Sequence, residues 1–264
     1  MMRHNDLESA HDYITQFIRS CESIVIFTGA GISTEAGVPD FRSPDSPWRL
    51  HPPIPFQDFM ADEKARSEAW RRKFTMDDIY RHVGPGATHR WIAKGVARGQ
   101  VRRIVTQNID NLHQRSGVPS ERIIELHGNG SYARCVSCEQ RHEINAIRAH
   151  FENKGTPPSC EGCGGIVKSA TISFGQKMPL DAVRQAAADM RMVDGVIVLG
   201  SSLVVRPAAD LPVLAKEAGS RLLIINREKT PLDGLADCVI RGDLPAVLPA
   251  EWPLTDGNKL PEGG

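Results

Sequence analysis

Apolar residues fall into two rhythms along this chain. Near the N-terminus Leu7, Ala10, Ile14, Phe17 and Ile18 recur at helical spacing behind Asp6, a residue suited to capping, and predict an amphipathic helix. Short uninterrupted apolar runs come next: Ser23-Ile24-Val25-Ile26-Phe27, then 103–106, 122–125, 195–199 and 222–225, with a weaker run at 238–240. Such runs, rich in β-branched residues and bounded by glycine or polar groups, read as strands buried on both faces of a parallel sheet. Between them, residues 88–98, 181–192 and 208–218 carry helical periodicity. Strands alternating with helices predict an α/β fold, a Rossmann-like parallel sheet with helices on both faces.

Two stretches break the rhythm. Residues 50–84 look helical but irregular, with Pro52, Pro53 and Pro55 at the entry, and 132–168 hold most of the cysteines and few apolar runs. Both read as insertions into one unit spanning 1–264, whose large part comprises 1–49, 85–131 and 169–264. The tail from Thr255 is polar.

Composition narrows the classes of function. Lys+Arg and Asp+Glu balance at 32 each, so no global basic field points to nucleic acid or an anionic membrane. No stretch approaches the roughly 18 apolar residues of a membrane span. The first twenty residues lack the apolar segment of a secretory signal. Four of the six cysteines form Cys135-x-x-Cys138 and Cys160-x-x-Cys163. That spacing suits a tetrahedral thiolate site for zinc better than disulfides, and a reducing compartment, the cytoplasm, is the expected address. All four ligand positions being filled by protein, such a zinc would be structural.

Chemistry-bearing residues gather at the predicted strand ends. Gly29-Ala30-Gly31-Ile32-Ser33-Thr34 follows the first strand, and its glycines allow backbone to approach a phosphate. A following helix start would offer free N–H groups. Thr34 stands where the third glycine of the dinucleotide fingerprint belongs, so the segment equally suits a plain strand-to-helix turn. Its continuation, Pro39-Asp40-Phe41-Arg42, adds a carboxylate, a ring and a guanidinium. Thr106-Gln107-Asn108-Ile109-Asp110-Asn111-Leu112-His113 places polar groups at a strand edge where open α/β sheets bind ligands, or else forms an Asx-rich turn. Glu125-Leu126-His127-Gly128-Asn129 ends another strand, where His127 is either a satisfied loop residue or a general base. Gly200-Ser201-Ser202 and Asn226-Arg227-Glu228 also follow apolar strands and suit ribose or phosphate.

In this order the segments resemble the sirtuins, NAD-dependent protein lysine deacylases, over roughly residues 22–250, nearly the whole chain. The resemblance implies a cleft between the large domain and a zinc-plus-helical domain, holding NAD and an acyl-lysine peptide. It assigns the cofactor to Gly29, Ala30, Gly31, Ile32, Thr34, Asp40, Phe41, Arg42 and Trp48, to Gln107, Asn108, Ile109 and Asp110, and to Gly200, Ser201, Ser202, Asn226, Arg227, Glu228 and Leu244. It makes His127 the base, with Asn108 and Asp110 beside it, and Cys135, Cys138, Cys160 and Cys163 the zinc ligands. The peptide would lie between Ile172, Phe174, Gly175 and Gln176 on one side and Leu203, Val204 and Val205 on the other. The implied products are nicotinamide, free lysine and O-acyl-ADP-ribose. Ser173 and Gln176 depart from the family's usual aromatic and glutamate, which leaves acyl preference open. Mono-ADP-ribosyl transfer or NAD hydrolysis in the same cleft is the alternative enzyme reading.

Overall fold

The computed structural model describes residues 2–4, 7–39 and 52–254. Its main sheet has seven parallel strands in the order β1-β10-β9-β8-β2-β3-β4. These are β1 (Met2–His4), β2 (Ile24–Thr28), β3 (Val101–Thr106), β4 (Ile123–Glu125), β8 (Gly195–Leu199), β9 (Arg221–Ile225) and β10 (Cys238–Ile240). The edge strand β1 pairs with β10 and had no apolar run to announce it.

Alternation along each strand divides the apolar residues between two layers. From β2, β8 and β9, residues Ile24, Ile26, Ile197, Leu199, Leu223 and Ile225 join one core. That core is closed by α1 (Leu7–Arg19), α4 (Ala87–Ala97) and α9 (Leu244–Val247). Their neighbours Val25, Phe27, Val196, Val198, Leu222 and Ile224 join the opposite core, under α7 (Leu180–Met190) and α8 (Leu211–Glu217). Every residue of β2 and β8 is buried, which is why those runs are continuous rather than alternating.

The two irregular stretches meet in a small core of their own. Helices α2 (Phe56–Ala61) and α3 (Glu63–Tyr80) come from the first. The second forms an antiparallel sheet β6-β5-β7, from β5 (Gly128–Cys135), β6 (Arg141–Glu143) and β7 (Val167–Thr171), with α6 (Ile144–Lys154). Trp70 and Phe74 of α3 pack on Ala133, Ile147, Phe151 and Val167, and Phe74 meets Phe151 edge-on at 5.7 Å. Two of the eight buried residues there are Cys135 and Cys160. So little apolar surface needs a further cross-link to hold its shape.

Candidate active site

Successive strands are added on one side of β2 as β3 and β4, and on the other as β8, β9 and β10. The sheet therefore reverses its winding at β2, and a crevice opens there at the carboxyl ends of the strands. Gly29–Gly31 leaves β2 and Gly200–Ser202 leaves β8, and the two loops touch. The Gly31 N–H donates to the Gly200 carbonyl at 2.8 Å. A Cβ on Gly31 would stand 2.7 Å from that oxygen and 2.8 Å from the Gly200 Cα, so only glycine fits. The expected helix start behind these glycines is instead two 3-10 turns, Ala30–Ile32 and Thr34–Ala36.

Between the crevice and the small subdomain runs a cleft of about 1600 Å³. That exceeds the roughly 300–1,000 Å³ of an ordinary small-molecule site and leaves room for two ligands. It is lined by Gly29, Ala30, Gly31, Thr34, Gln107, Asn108, Ile109, Asp110, His127, Gly200, Ser201, Ser202, Asn226, Arg227, Glu228 and Leu244. Ile172, Phe174, Gly175, Gln176 and Val205 also line it. Val204 is exposed beside Val205 but lies off the lining. Two residues are displaced from the expected surface: the side chains of Ile32 and Leu203 are buried in the two cores. Any contact they make with a ligand is through backbone. Asp40, Phe41, Arg42 and Trp48 lie outside the described residues.

His127 sits on the single residue that joins Leu126, bonded to the main sheet through the Thr106 carbonyl, to β5 of the small sheet. Gly128 turns there with φ 74°, and a Cβ would stand 2.0 Å from the Ala170 carbonyl oxygen. The turn is clamped by Asn129, whose Nδ2 donates to Glu125 Oε1 at 2.6 Å. His127 Nδ1 lies 3.0 Å from the Gln107 carbonyl oxygen. A carbonyl only accepts, so Nδ1 carries the proton and Nε2 keeps its lone pair. Burial lowers the His127 pKa, partly offset by the Gln107 bond. The ring is thus a neutral base at pH 7.

Gln107 is held by the Ser201 hydroxyl, which donates to Oε1 at 2.7 Å. Asn108 is buried, its Nδ2 donating to the Gly29 carbonyl at 3.1 Å and to Ser33 Oγ at 3.3 Å. That fixes the amide orientation and leaves Oδ1 as an acceptor. Both oxygens of Asp110 are engaged: Oδ2 accepts from Ser33 Oγ at 2.6 Å and Oδ1 from the Leu112 N–H at 3.0 Å. Ser33 was overlooked although it stands in the glycine-rich segment, where a hydroxyl between two glycines was the available signal. Lys168, at the start of the segment expected to flank the peptide, also lines the cleft. Its ammonium donates to the Thr171 carbonyl at 2.5 Å, and burial lowers its pKa to about 8.

The four cysteines meet at one end of the small subdomain, with sulfurs within 4.8 Å of one another. Cys135 and Cys163 approach to 3.5 Å and Cys138 and Cys160 to 3.6 Å. Zinc with four thiolates at about 2.3 Å sets its sulfurs about 3.8 Å apart, so the cluster fits that ion. Cys135 and Cys138 ride one tight turn, closed by Glu139 N–H to the Cys135 carbonyl at 3.0 Å, and Cys160 and Cys163 another, closed by Gly164 N–H to the Cys160 carbonyl at 2.8 Å. No position is left for a water, so the metal would be structural.

Comparison with known proteins decides the family. A model of the Sir2 family matches residues 29–207. The chain is 50% identical over 242 residues to an NAD-dependent protein deacetylase of Rhodopseudomonas palustris, covering 92% of this chain and 96% of the relative. The chain belongs to the Sir2 family. A second sirtuin, NAD-dependent protein deacetylase 1 of Bradyrhizobium diazoefficiens, is 49% identical with the same coverage. Among solved sirtuins, a Sir2 complex with a p53 peptide and NAD superposes with TM-score 0.77 at 34% identity, over 89% of this chain and 93% of that one. A Sir2 structure bound to a propionylated peptide gives 0.77 at 32% identity, over 88% and 92%.

Proposed function

We infer that this sirtuin is an NAD-dependent protein deacylase that takes an extended acyl-lysine peptide and uses His127 as its base. The observation that carries the reading is the neutral imidazole of His127, tautomer fixed by the Gln107 carbonyl, in a cleft with room for two ligands. NAD supplies an electrophilic ribose carbon and a vicinal diol. The touching glycine loops, with Ser201 and the Asn226–Glu228 loop behind β9, suit its phosphates and adenosine. Asn108 Oδ1 suits a ribose hydroxyl or a water. Asp110 acts by holding Ser33, and through it Asn108, rather than by touching substrate. The acyl oxygen would bond to the electrophilic ribose carbon as nicotinamide leaves; His127 Nε2 would then accept a proton from the diol, whose oxygen attacks the acyl carbon, and water would complete the release of the lysine amine.

Exposed apolar side chains at the mouth of the cleft support the peptide reading. Phe174 is 61% exposed and Val205 39%, on two segments that both line the cleft. Backbone pairing along such segments favours any extended acyl-lysine peptide over one sequence. The Ser173–Gln176 turn is closed by its own bonds, Ser173 N–H to Gln176 Oε1 at 3.1 Å and Gln176 N–H to the Ser173 carbonyl at 3.0 Å. Six unpaired cysteines suit the reducing cytoplasm, the compartment we assign.

Acetyl-, propionyl-, butyryl- and succinyl-lysine forms of one peptide, each incubated with NAD, test the reading by peptide mass. Conversion to free lysine with the short neutral acyl groups is expected. NAD consumed at one rate with or without peptide would instead favour hydrolysis, and ADP-ribose added to protein would favour transfer.

A further inference from the structure

Behind Asn108, on the side away from the cleft, lies a cluster of buried polar groups that nothing above uses. Thr28 and Thr106 are partners in the register of β2 and β3, both at the strands' carboxyl ends and both buried. Thr28 Oγ1 donates to Thr106 Oγ1 at 2.8 Å, and Thr106 Oγ1 accepts the Asn108 backbone N–H at 3.0 Å. His113, on the short helix α5 (Leu112–Arg115), reaches Thr28 Oγ1 with Nε2 at 3.0 Å. With the Thr28 proton given to Thr106, His113 Nε2 must be the donor, and its Nδ1 keeps a lone pair.

The next ring continues the logic. His89 of α4 is buried, and its Nδ1 accepts the Gly86 N–H at 3.2 Å, so the proton of His89 sits on Nε2. The two rings meet edge to face at 5.2 Å. Among the described residues neither His89 Nε2, a donor, nor His113 Nδ1, an acceptor, has a hydrogen-bond partner. The two imidazoles touch through their rings, not through a hydrogen bond. Burial pushes the His113 pKa down to about 3 and lowers that of His89, where Asp110 and Glu35 oppose the shift and Arg90 adds to it. Neither ring carries charge near neutral pH, so the pair is not a proton store.

We propose that His113, packed edge to face against His89, is a positioning residue for deacylation: it donates to Thr28 and so fixes the Thr28–Thr106 hydroxyl pair that seats Asn108 at the reacting end of the cleft. The inference rests on the deacylase reading for its effect on rate, but the relay itself has a readout apart from activity. An apolar filler could pack this space equally well. The polar line does what a filler cannot: His113 Nε2, Thr28 Oγ1 and Thr106 Oγ1 each find a buried partner, and the last of them holds the Asn108 N–H.

The test is a double-mutant cycle. Thr28→Val keeps shape and removes the hydroxyl; His113→Phe keeps a ring and removes the donor. Each is expected to lower kcat for an acetyl-lysine peptide about tenfold, the worth of one buried hydrogen bond in a rate. The double variant should also lose about tenfold rather than about a hundredfold, because both changes cut the same line. Thr28→Ser should restore most of the rate, and it carries the test if His113→Phe does not fold. Long-range proton–nitrogen spectra of the wild-type imidazoles should show His113 protonated at Nε2 alone. Additive losses, a fully active Thr28→Val, or His113 protonated at Nδ1 would overturn the proposal. A wild-type enzyme with no deacylase activity would overturn the functional reading, and the imidazole spectra would still decide the relay.

Discussion

His113 makes the enzyme acid-sensitive by an amount that follows from its surroundings. An unfolded chain protonates this histidine near 6.5, whereas the folded chain holds it neutral down to about 3. Its folded pKa is depressed, so the unfolded state binds more protons between those values. Stability present above 6.5 is then lost as the pH falls towards 3. At about pH 5 the folded value is still far below, and the loss is set by the distance from the unfolded value. That distance corresponds to about 2 kcal/mol. His89 and His127 are depressed too and act in the same direction, so the wild-type slope alone does not isolate His113. The difference between wild type and His113→Phe does. Urea unfolding of both at about pH 7.5 and pH 5, with zinc ions in excess, gives four free energies. The variant should start lower, having lost the hydrogen bond from His113 to Thr28, but should lose about 2 kcal/mol less on acidification. Equal losses in the two proteins would refute the account of His113 as a buried neutral ring.

Three further outcomes follow from the site. His127→Gln should cut turnover by roughly a hundredfold or more while zinc content and melting temperature hold; in the wild type the acid limb of kcat/KM should have its midpoint below 6.5, since burial lowers this pKa. Near-normal turnover in the variant, or a midpoint above 6.5, would contradict the assignment. Cys160→Ser should abolish the single zinc per chain measured by elemental analysis, and hydrogen exchange should rise across 128–171 while the parallel sheet keeps its protection; unchanged zinc would refute the cluster as a metal site. Gly31→Ala drives a Cβ into the Gly200 backbone, and should weaken NAD binding by calorimetry about tenfold and destabilise the fold by about 1–3 kcal/mol. Wild-type affinity would show that the two loops do not shape the cofactor site.

Much of the fold was legible because its strands are buried on both faces. Ile24–Thr28 and Gly195–Leu199 leave no solvent-facing position to blur the run, and the helices that cover them keep a clear 3.6-residue period. Met2–His4 was not legible, since an edge strand of three residues gains its structure from Cys238–Ile240 rather than from its own pattern. The cysteine spacing pointed directly to the cluster. The glycine segment suggested a helix start, but the close approach of Gly200 bends it into 3-10 turns. Side-chain direction was the harder part. Ile32 and Leu203 fall in cleft-forming segments yet point into the cores, and Asp110 spends both oxygens on Ser33 and Leu112. The Thr28–Thr106–His113 line depends on the register between β2 and β3, which a single sequence does not display.

The fate of the acyl group tests the central claim most directly. Purified enzyme, NAD and an acetyl-lysine peptide, followed by mass spectrometry, should yield nicotinamide, deacetylated peptide and O-acetyl-ADP-ribose in equal amounts, and none of the three without both substrates. Free ADP-ribose formed without the peptide, with the acetyl group still on lysine, would contradict it.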